Sequence, residues 1–129
     1  ASSIACSSVG TGILFYPVIS MRKELTHLRS HDHWLGENAS EELENQYSNE
    51  LHVSNQTPPA YIALSRDDKK VNPQNSILFY DEMCIKRRPA TLHVYPSGGH
   101  GWGYKLSFPY HNQMLNDLRI WLNNKQKNK

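Results

Sequence analysis

The sequence has little of three features that would point directly to a function: cysteine, long apolar runs and an excess of one charge. Cys6 and Cys84 are the two cysteines among 129 residues, and neither has a second Cys or a His at metal-ligand spacing. They could form one disulfide or remain two buried thiols, which leaves the redox compartment open. The longest apolar run, Gly12 to Ile19, is far shorter than the roughly 20 residues of a membrane-spanning helix. No charged-then-apolar leader opens the chain, so we expect it to be soluble and to have no membrane partner.

The charges are nearly balanced. Fourteen Lys and Arg stand against twelve Asp and Glu, a net charge of +2, and they are spread along the chain. This distribution argues against a nucleic-acid partner and favours a neutral or small-molecule one. With 38% hydrophobic residues, residues 1–129 can fill the core of one unit, so disorder and several domains are both unexpected.

Three short apolar runs predict strands buried in a parallel sheet. The first is Gly12 to Ile19, which Pro17 should close. The second is Ala60 to Ser65 and the third is Ala90 to Tyr95, each bounded by prolines or charged residues. Because helical segments separate the second and third runs, right-handed parallel crossovers are expected and the fold class is α/β.

Three helices are predicted around these strands. Ser40 precedes acidic residues and predicts a short helix to about Tyr47. Pro73 opens a second helix, with an apolar stripe made by Ile77, Leu78, Tyr80, Asp81, Cys84 and Ile85. The third helix, from Tyr110 to Asn124, carries Met114, Leu115, Leu118, Ile120, Trp121 and Leu122.

The remaining segments are predicted to be irregular. Residues 21–59 form a lid-like excursion, in which Met21 to Gly36 contains at most one helical turn. Residues 124–129 form a polar, frayed tail.

A sheet of three strands is too small for such an apolar first strand, which has no earlier strand to pair with. The chain therefore looks like one half of a larger sheet. We expect its partner to be a missing amino-terminal half or a second copy of the chain.

The turns after the second and third strands carry the residues best suited to chemistry. Asp67 and Asp68 follow the second strand, and His100 lies among glycines after the third. Open α/β sheets place ligands at the carboxyl ends of their strands. A carboxylate and an imidazole brought together there can fix the imidazole tautomer and stabilise its charged form. We therefore expect Asp68 and His100 to lie within hydrogen-bond distance.

These residues resemble the carboxyl-terminal half of an α/β-hydrolase. The resemblance rests on Asp68-Lys-Lys-Val71 and on His93-Val-Tyr-Pro-Ser-Gly-Gly-His-Gly-Trp-Gly103. More narrowly, the chain resembles the acetyl xylan and feruloyl esterase-like group of carbohydrate esterases over most of residues 12–123. Further similar segments are Phe15-Tyr-Pro-Val-Ile-Ser20, Leu35-Gly-Glu37, Tyr47-Ser-Asn-Glu50 and Pro58-Pro59.

The resemblance implies a catalytic triad of which this chain holds two members. By family order Asp68 is the triad acid and His100 the general base, while Asp67 stands one residue out of register. Asn72 stands where the same loop of the family often has a proline, which is a mild departure from the family pattern. No metal or other cofactor is implied, and export to a secreted or periplasmic location is implied for the whole enzyme. The residues alone leave the location unknown.

The family's nucleophile motif, Gly-x-Ser-x-Gly on a strand-to-helix turn, is not matched in this sequence. The nearest segment, Cys6-Ser-Ser-Val-Gly10, has Cys for the first Gly. Ser8 also stands too close to the first strand to leave room for a helix. We therefore expect the nucleophilic serine to lie upstream of residue 1.

Other side chains allow alternative roles. Tyr16, Trp34, Trp102 and Tyr104 could form aromatic walls for a sugar or aryl ring, and we predict Tyr16 and Trp102 as substrate-binding residues. His27, His31 and His33 with Asp32 could ligate zinc, but their spacing fits no established site, so no metal is predicted.

Two functions remain in view from the sequence. The chain is either the acid-base half of a serine carboxylesterase that cleaves acylated carbohydrate or small esters, or an inactive structural or binding fragment that associates through its sheet edge.

Overall fold

Three parallel strands form the sheet of the computed structural model, which describes residues 10–127. The order is β1 (Gly12–Phe15), β2 (Ala60–Ser65) and β3 (Ala90–Tyr95), with β2 in the centre. The predicted bounds of β2 and β3 agree with the structure. The expectations for a helix end at residues 1–9, for Cys6 and for Ser8 lie outside the described residues.

Strand β1 ends earlier than predicted. Tyr16 adopts a positive φ of 37°, a region that bulky residues rarely occupy, and this turns the chain out of the strand. The Tyr16 N–H still donates to the Ala63 carbonyl at 2.8 Å. The expected strand to Ile19 is therefore wrong beyond Phe15, although Ile19 itself is fully buried.

Four α-helices and one 3₁₀ helix surround the sheet: α1 (Leu28–Leu35), α2 (Glu41–Gln46), the 3₁₀ helix (Asn49–His52), α3 (Gln74–Ile85) and α4 (His111–Lys127). The predicted cap of α2 is present, because Ser40 Oγ accepts a hydrogen bond from the Leu43 N–H at 3.2 Å. Helix α4 continues past the predicted end at Asn124. Among residues 10–127, no helix is long and apolar enough to cross a membrane.

The central strand divides the core in two, because successive side chains of a strand point to opposite faces. Ile62 and Leu64 pack in one cluster with Phe79 and Met83 of α3. On the other face, Tyr61 and Ala63 pack in a second cluster with side chains of α4 and of the segment before it. The members of this second cluster beyond β2 are Tyr95, Trp102, Phe108, Met114 and Leu118.

The buried face of α3 differs from the predicted apolar stripe. The structure buries Asn75, Ser76, Phe79 and Met83, whereas Cys84 and Ile85 are exposed and the other predicted members are at most partly buried. Sequence hydrophobicity misses this face because two of its four residues are polar. The exposure of Cys84 also corrects the expectation of a buried thiol at that position.

Asn75 explains why a polar residue faces inwards. Its Oδ1 accepts hydrogen bonds from the Ile19 and Ser20 N–H groups at 3.1 and 2.9 Å. Its Nδ2 donates to the carbonyls of Leu25 and Asn72 at 2.7 and 2.9 Å. Since three of the four bonds are made to backbone groups of the irregular segment 19–25, Asn75 fixes the chain after β1 onto α3.

The excursion is more ordered than predicted, because α1 extends over eight residues where at most one turn was expected. His31 is the buried residue of this helix, with 1% of its surface exposed. Its side chain links α1 to α2. Its Nδ1 lies 2.8 Å from Asp32 Oδ1 and its Nε2 lies 2.8 Å from Glu44 Oε1. The hydrogen bond to Asp32 raises the pKa of His31 above its usual 6.5, with burial opposing and Glu44 reinforcing the shift.

Stability should therefore depend on the charge of His31. A raised folded-state pKa contributes stability that is fully present below pH 6.5 and is lost as the pH rises through the folded-state value. The charged neighbours are Asp32, Glu44 and Lys23, whose Nζ lies 3.9 Å from Glu44 Oε1. We expect His31→Gln to lower the free energy of unfolding by about 1–3 kcal/mol near pH 6 and by less near pH 8.

Urea unfolding at the two pH values measures this difference. His33→Gln, at an exposed position of the same helix, is the matched control and should change stability little at either pH. An effect of His31→Gln that is equal at both pH values would show that the buried imidazole contributes through packing alone.

Candidate active site

Asp68 and His100 meet at the carboxyl edge of the sheet. Because β2 and β3 are parallel and Ser65 is in register with Tyr95, the turns that follow the two strands leave the sheet side by side. His100 Nδ1 lies 2.7 Å from Asp68 Oδ2, a distance typical of a charge-assisted hydrogen bond. The structure thus brings together the two residues that the sequence paired, at the expected distance.

The Asp68 carboxylate is held from its other side by backbone. Its Oδ1 accepts hydrogen bonds from the Lys70 and Val71 N–H groups, both at 2.9 Å. Asp68 is 7% exposed, so its orientation is fixed by these donors rather than by solvent. A carboxylate aligned in this way accepts a hydrogen bond from the imidazole Nδ1–H, which keeps the proton on Nδ1 and leaves Nε2 as the basic nitrogen.

The neighbouring Asp67 anchors the loop that carries His100. Its Oδ1 accepts a hydrogen bond from the Gly99 N–H at 2.8 Å. Ser65 adds a second tie, since its hydroxyl donates to the Ser97 carbonyl at 3.2 Å. Sequence reasoning assigned no role to Ser65 and left Asp67 out of register. Both residues stand at or directly after the end of β2, and the turn after β3 is rich in glycine. This pattern could have indicated that they anchor the His100 loop.

Tyr16, predicted to bind substrate, packs against the imidazole. The Tyr16 and His100 ring centroids are 4.6 Å apart at an interplanar angle of 59°. Tyr16 is also the residue with φ of 37°, and strained backbone of this kind persists only where surrounding contacts enforce it. Its ring therefore restricts the His100 imidazole and forms part of the cavity wall.

Trp102 was predicted to bind substrate, but the structure places it in the core behind the site. It is 3% exposed, and its ring stacks on Phe108 with centroids 4.1 Å apart. Its indole N–H donates to Ser65 Oγ at 2.8 Å. Because its ring is stacked and its indole N–H is hydrogen-bonded, Trp102 supports the His100 loop from within the core.

A cavity of about 350 Å³ opens beside His100, a volume in the range of small-molecule sites. Residues at and just after the end of β1 contribute an apolar wall, and residues at the beginning of α1 contribute a polar wall. Its lining residues are Phe15, Tyr16, Val18, His27, Ser30, Lys70, Val71 and His100.

The histidines of the excursion do not form a metal site in the described part of the chain. His31 is bonded to Asp32 and Glu44, and His27 Nδ1 lies 2.9 Å from Ser30 Oγ. Among residues 10–127, no group of three or more His, Cys, Asp or Glu side chains is arranged to hold a metal ion.

The fold is of the α/β-hydrolase type, and comparison with known proteins agrees. The model of the prolyl oligopeptidase family matches residues 10–128, and the chain belongs to this family. The acetylxylan esterase of Xylanibacter ruminicola is 42% identical over 114 residues, which are 85% of this chain and 24% of that protein. The endo-1,4-beta-xylanase B of Butyrivibrio fibrisolvens is 37% identical over 69% of this chain and 14% of its own length.

A solved structure shows the same arrangement of strands and helices. The acetyl ester-xyloside bifunctional hydrolase of Caldicellulosiruptor lactoaceticus has a TM-score of 0.76 and 31% identity over 88% of this chain and 42% of that protein. The predicted fold class, a partial α/β-hydrolase fold of three parallel strands with flanking helices, is confirmed. The predicted resemblance to acetyl xylan esterase-like hydrolases is confirmed as well. The chain spans about a quarter or less of the length of the two curated relatives.

Proposed function

We propose that this chain is the acid-base portion of a serine carboxylesterase, with Asp68 and His100 serving a serine nucleophile that lies upstream of residue 1. The observation that carries the proposal is the 2.7 Å contact between His100 Nδ1 and Asp68 Oδ2. It is supported by the cavity that opens on the same imidazole. Within the described residues, the side-chain hydrogen bond of His100 is the one to Asp68, which leaves Nε2 available for a nucleophile.

The proposed reaction proceeds in two halves. His100 Nε2 takes the proton of the serine hydroxyl as its oxygen attacks the ester carbonyl. The carbon–oxygen bond to the alcohol then breaks, and the alcohol leaves with that proton. Water attacks the acyl-serine in the same way and releases the carboxylic acid. Throughout, the Asp68 carboxylate holds the imidazole in one tautomer and stabilises its positive charge.

The proposed substrates are acetylated carbohydrates or other small esters. The support is the acetylxylan esterase at 42% identity and the acetyl ester-xyloside hydrolase at 31%. The 350 Å³ cavity accommodates a small acyl group or part of one sugar ring. No cofactor is needed, because the proton transfers use side chains alone.

The free edge of β1 is the proposed junction with the rest of the catalytic unit. Among the described strands, β1 pairs only with β2, and Ile13 on it is 41% exposed. An apolar strand with one open edge is completed by another strand. The same edge would serve the alternative function, in which the chain is an inactive fragment that associates with the missing half or with a second copy.

The experiment uses a longer protein that contains this chain. We expect it to hydrolyse 4-nitrophenyl acetate and to react with a serine-directed fluorophosphonate at a serine upstream of residue 1, identified by peptide mass spectrometry. Labelling at a serine within residues 1–129, Ser7 and Ser8 included, with turnover, would overturn the proposed arrangement. Failure to hydrolyse any ester and to take up the label would favour the non-catalytic alternative.

A further inference from the structure

The cavity beside His100 has a polar wall that the proposed acid-base chemistry does not use. His27 and Ser30, at the beginning of α1, stand on this wall together with His100. The apolar residues Phe15, Val18 and Val71 also line the cavity. A ligand in the cavity therefore meets an apolar surface and a pair of hydrogen-bonding side chains next to the proposed general base.

The His27 and Ser30 side chains form a preorganised pair. His27 Nδ1 lies 2.9 Å from Ser30 Oγ, and this contact fixes the orientation of the imidazole ring. His27 occupies the position that caps α1, yet its side chain makes no capping hydrogen bond to the helix backbone. Among residues 10–127 its Nε2 has no hydrogen-bonding partner, so this cavity-lining side chain keeps one polar atom free for a ligand.

We propose that His27 and Ser30 bind a hydroxyl group on the alcohol part of the ester and so make the site selective for carbohydrate esters. This inference rests on the proposed esterase function. A sugar hydroxyl both donates and accepts hydrogen bonds, so it fits Nε2 whichever tautomer the contact with Ser30 selects. An aryl alcohol without a second hydroxyl gains nothing from the pair and occupies the apolar surface instead.

Selectivity is the expected readout, because the pair touches the alcohol and not the reacting carbonyl. In the longer protein, kcat/KM is measured for an acetylated xylooligosaccharide and for 4-nitrophenyl acetate. We expect His27→Ala to lower the ratio of the two values by roughly 3- to 10-fold, the effect of one hydrogen bond between neutral groups. The loss should appear mainly in KM for the sugar ester, since the bond forms on binding.

Two amide variants separate binding from packing. Glutamine places its amide near the position of Nε2, whereas asparagine places it near Nδ1. We expect His27→Gln to retain much of the selectivity and His27→Asn to lose it, although both keep a polar side chain. His33→Ala, at an exposed site on the same helix, is the matched control and should keep the wild-type ratio.

The outcomes distinguish this inference from the function on which it rests. If the longer protein hydrolyses both esters and the ratio is the same in wild type, His27→Ala and His27→Asn, the inference is wrong and the esterase proposal stands. If the wild-type protein hydrolyses neither ester, the proposed function fails and the inference falls with it. Should His27→Ala fold poorly, the comparison of the glutamine and asparagine variants decides.

Discussion

His100→Ala in the longer protein is expected to lower kcat for ester hydrolysis by roughly 10⁴- to 10⁶-fold, the range found when a triad histidine is removed. Without the His100 imidazole, the site loses the base that is hydrogen-bonded to Asp68 and that takes the proton of the attacking hydroxyl in the proposed mechanism. His100 is partly exposed and its ring is not part of either core cluster. The variant should therefore remain folded, which circular dichroism checks alongside 4-nitrophenyl acetate turnover.

Asp68→Asn should act in the same direction but less completely, with a loss of roughly 10³- to 10⁴-fold. The asparagine oxygen can still accept from the Lys70 and Val71 N–H groups, as Asp68 Oδ1 does now. Its amide nitrogen then replaces Oδ2 and faces His100 Nδ1. This arrangement requires an unprotonated Nδ1, so the proton moves to Nε2 and the base is lost.

Asp67→Asn is the matched control for this pair of variants. Asp67 contacts the backbone N–H of Gly99 and not the imidazole, and an asparagine oxygen preserves that bond. We expect less than about a tenfold loss, since one neutral hydrogen bond replaces a charge-assisted one. If Asp67→Asn lost as much activity as Asp68→Asn, the assignment of Asp68 as the triad acid would be wrong.

Gly98→Ala is expected to lower the free energy of unfolding by about 2–5 kcal/mol, through strain and overpacking together. Gly98 has φ of +127°, and a Cβ atom there would lie 2.5 Å from Phe108 Cε1 and 3.0 Å from Ser65 Oγ. Phe108 is buried and stacked on Trp102, so it has no room to move aside. Urea unfolding measures the loss, and activity should fall with it because the loop carries His100.

Gly99→Ala separates steric overlap from backbone strain. Gly99 also has a positive φ, of +65°, but no atom lies within 4 Å of the Cβ position. Strain alone predicts a loss of about 1 kcal/mol. Equal destabilisation by the two substitutions would show that Phe108 adjusts without cost and that close packing under the His100 loop is not required.

Local sequence patterns predicted much of the sheet and the central contact of the site. The bounds of β2 and β3 followed from short apolar runs ended by charged or proline residues, and the parallel order of the strands followed from the helix between them. Because parallel strands end at one edge, the same pattern placed Asp68 beside His100. These features depend on short stretches of chain and on general rules of connection.

The features that the sequence missed depend on contacts between distant residues. The inward face of α3 includes Asn75, whose four partners lie in two separate segments, and hydrophobic spacing does not register such a residue. Helix α1 has no side-chain cap at its amino end, and its buried His31 is held by Glu44 of another helix. The sequence predicted Trp102 to be a substrate-binding residue, whereas contacts with the distant residues Phe108 and Ser65 hold it in the core.

The sequence by itself determined the α/β class, the parallel sheet and the pairing of Asp68 with His100, because each follows from residues in or directly after a predicted strand. Only the tertiary structure decided which side chains reach the cavity. It moved Trp102 into the core, set Tyr16 against the imidazole and brought His27 and Ser30 to the cavity wall. The physical reason is that cavity walls form where separate segments pack together, and no spacing within one segment encodes that packing.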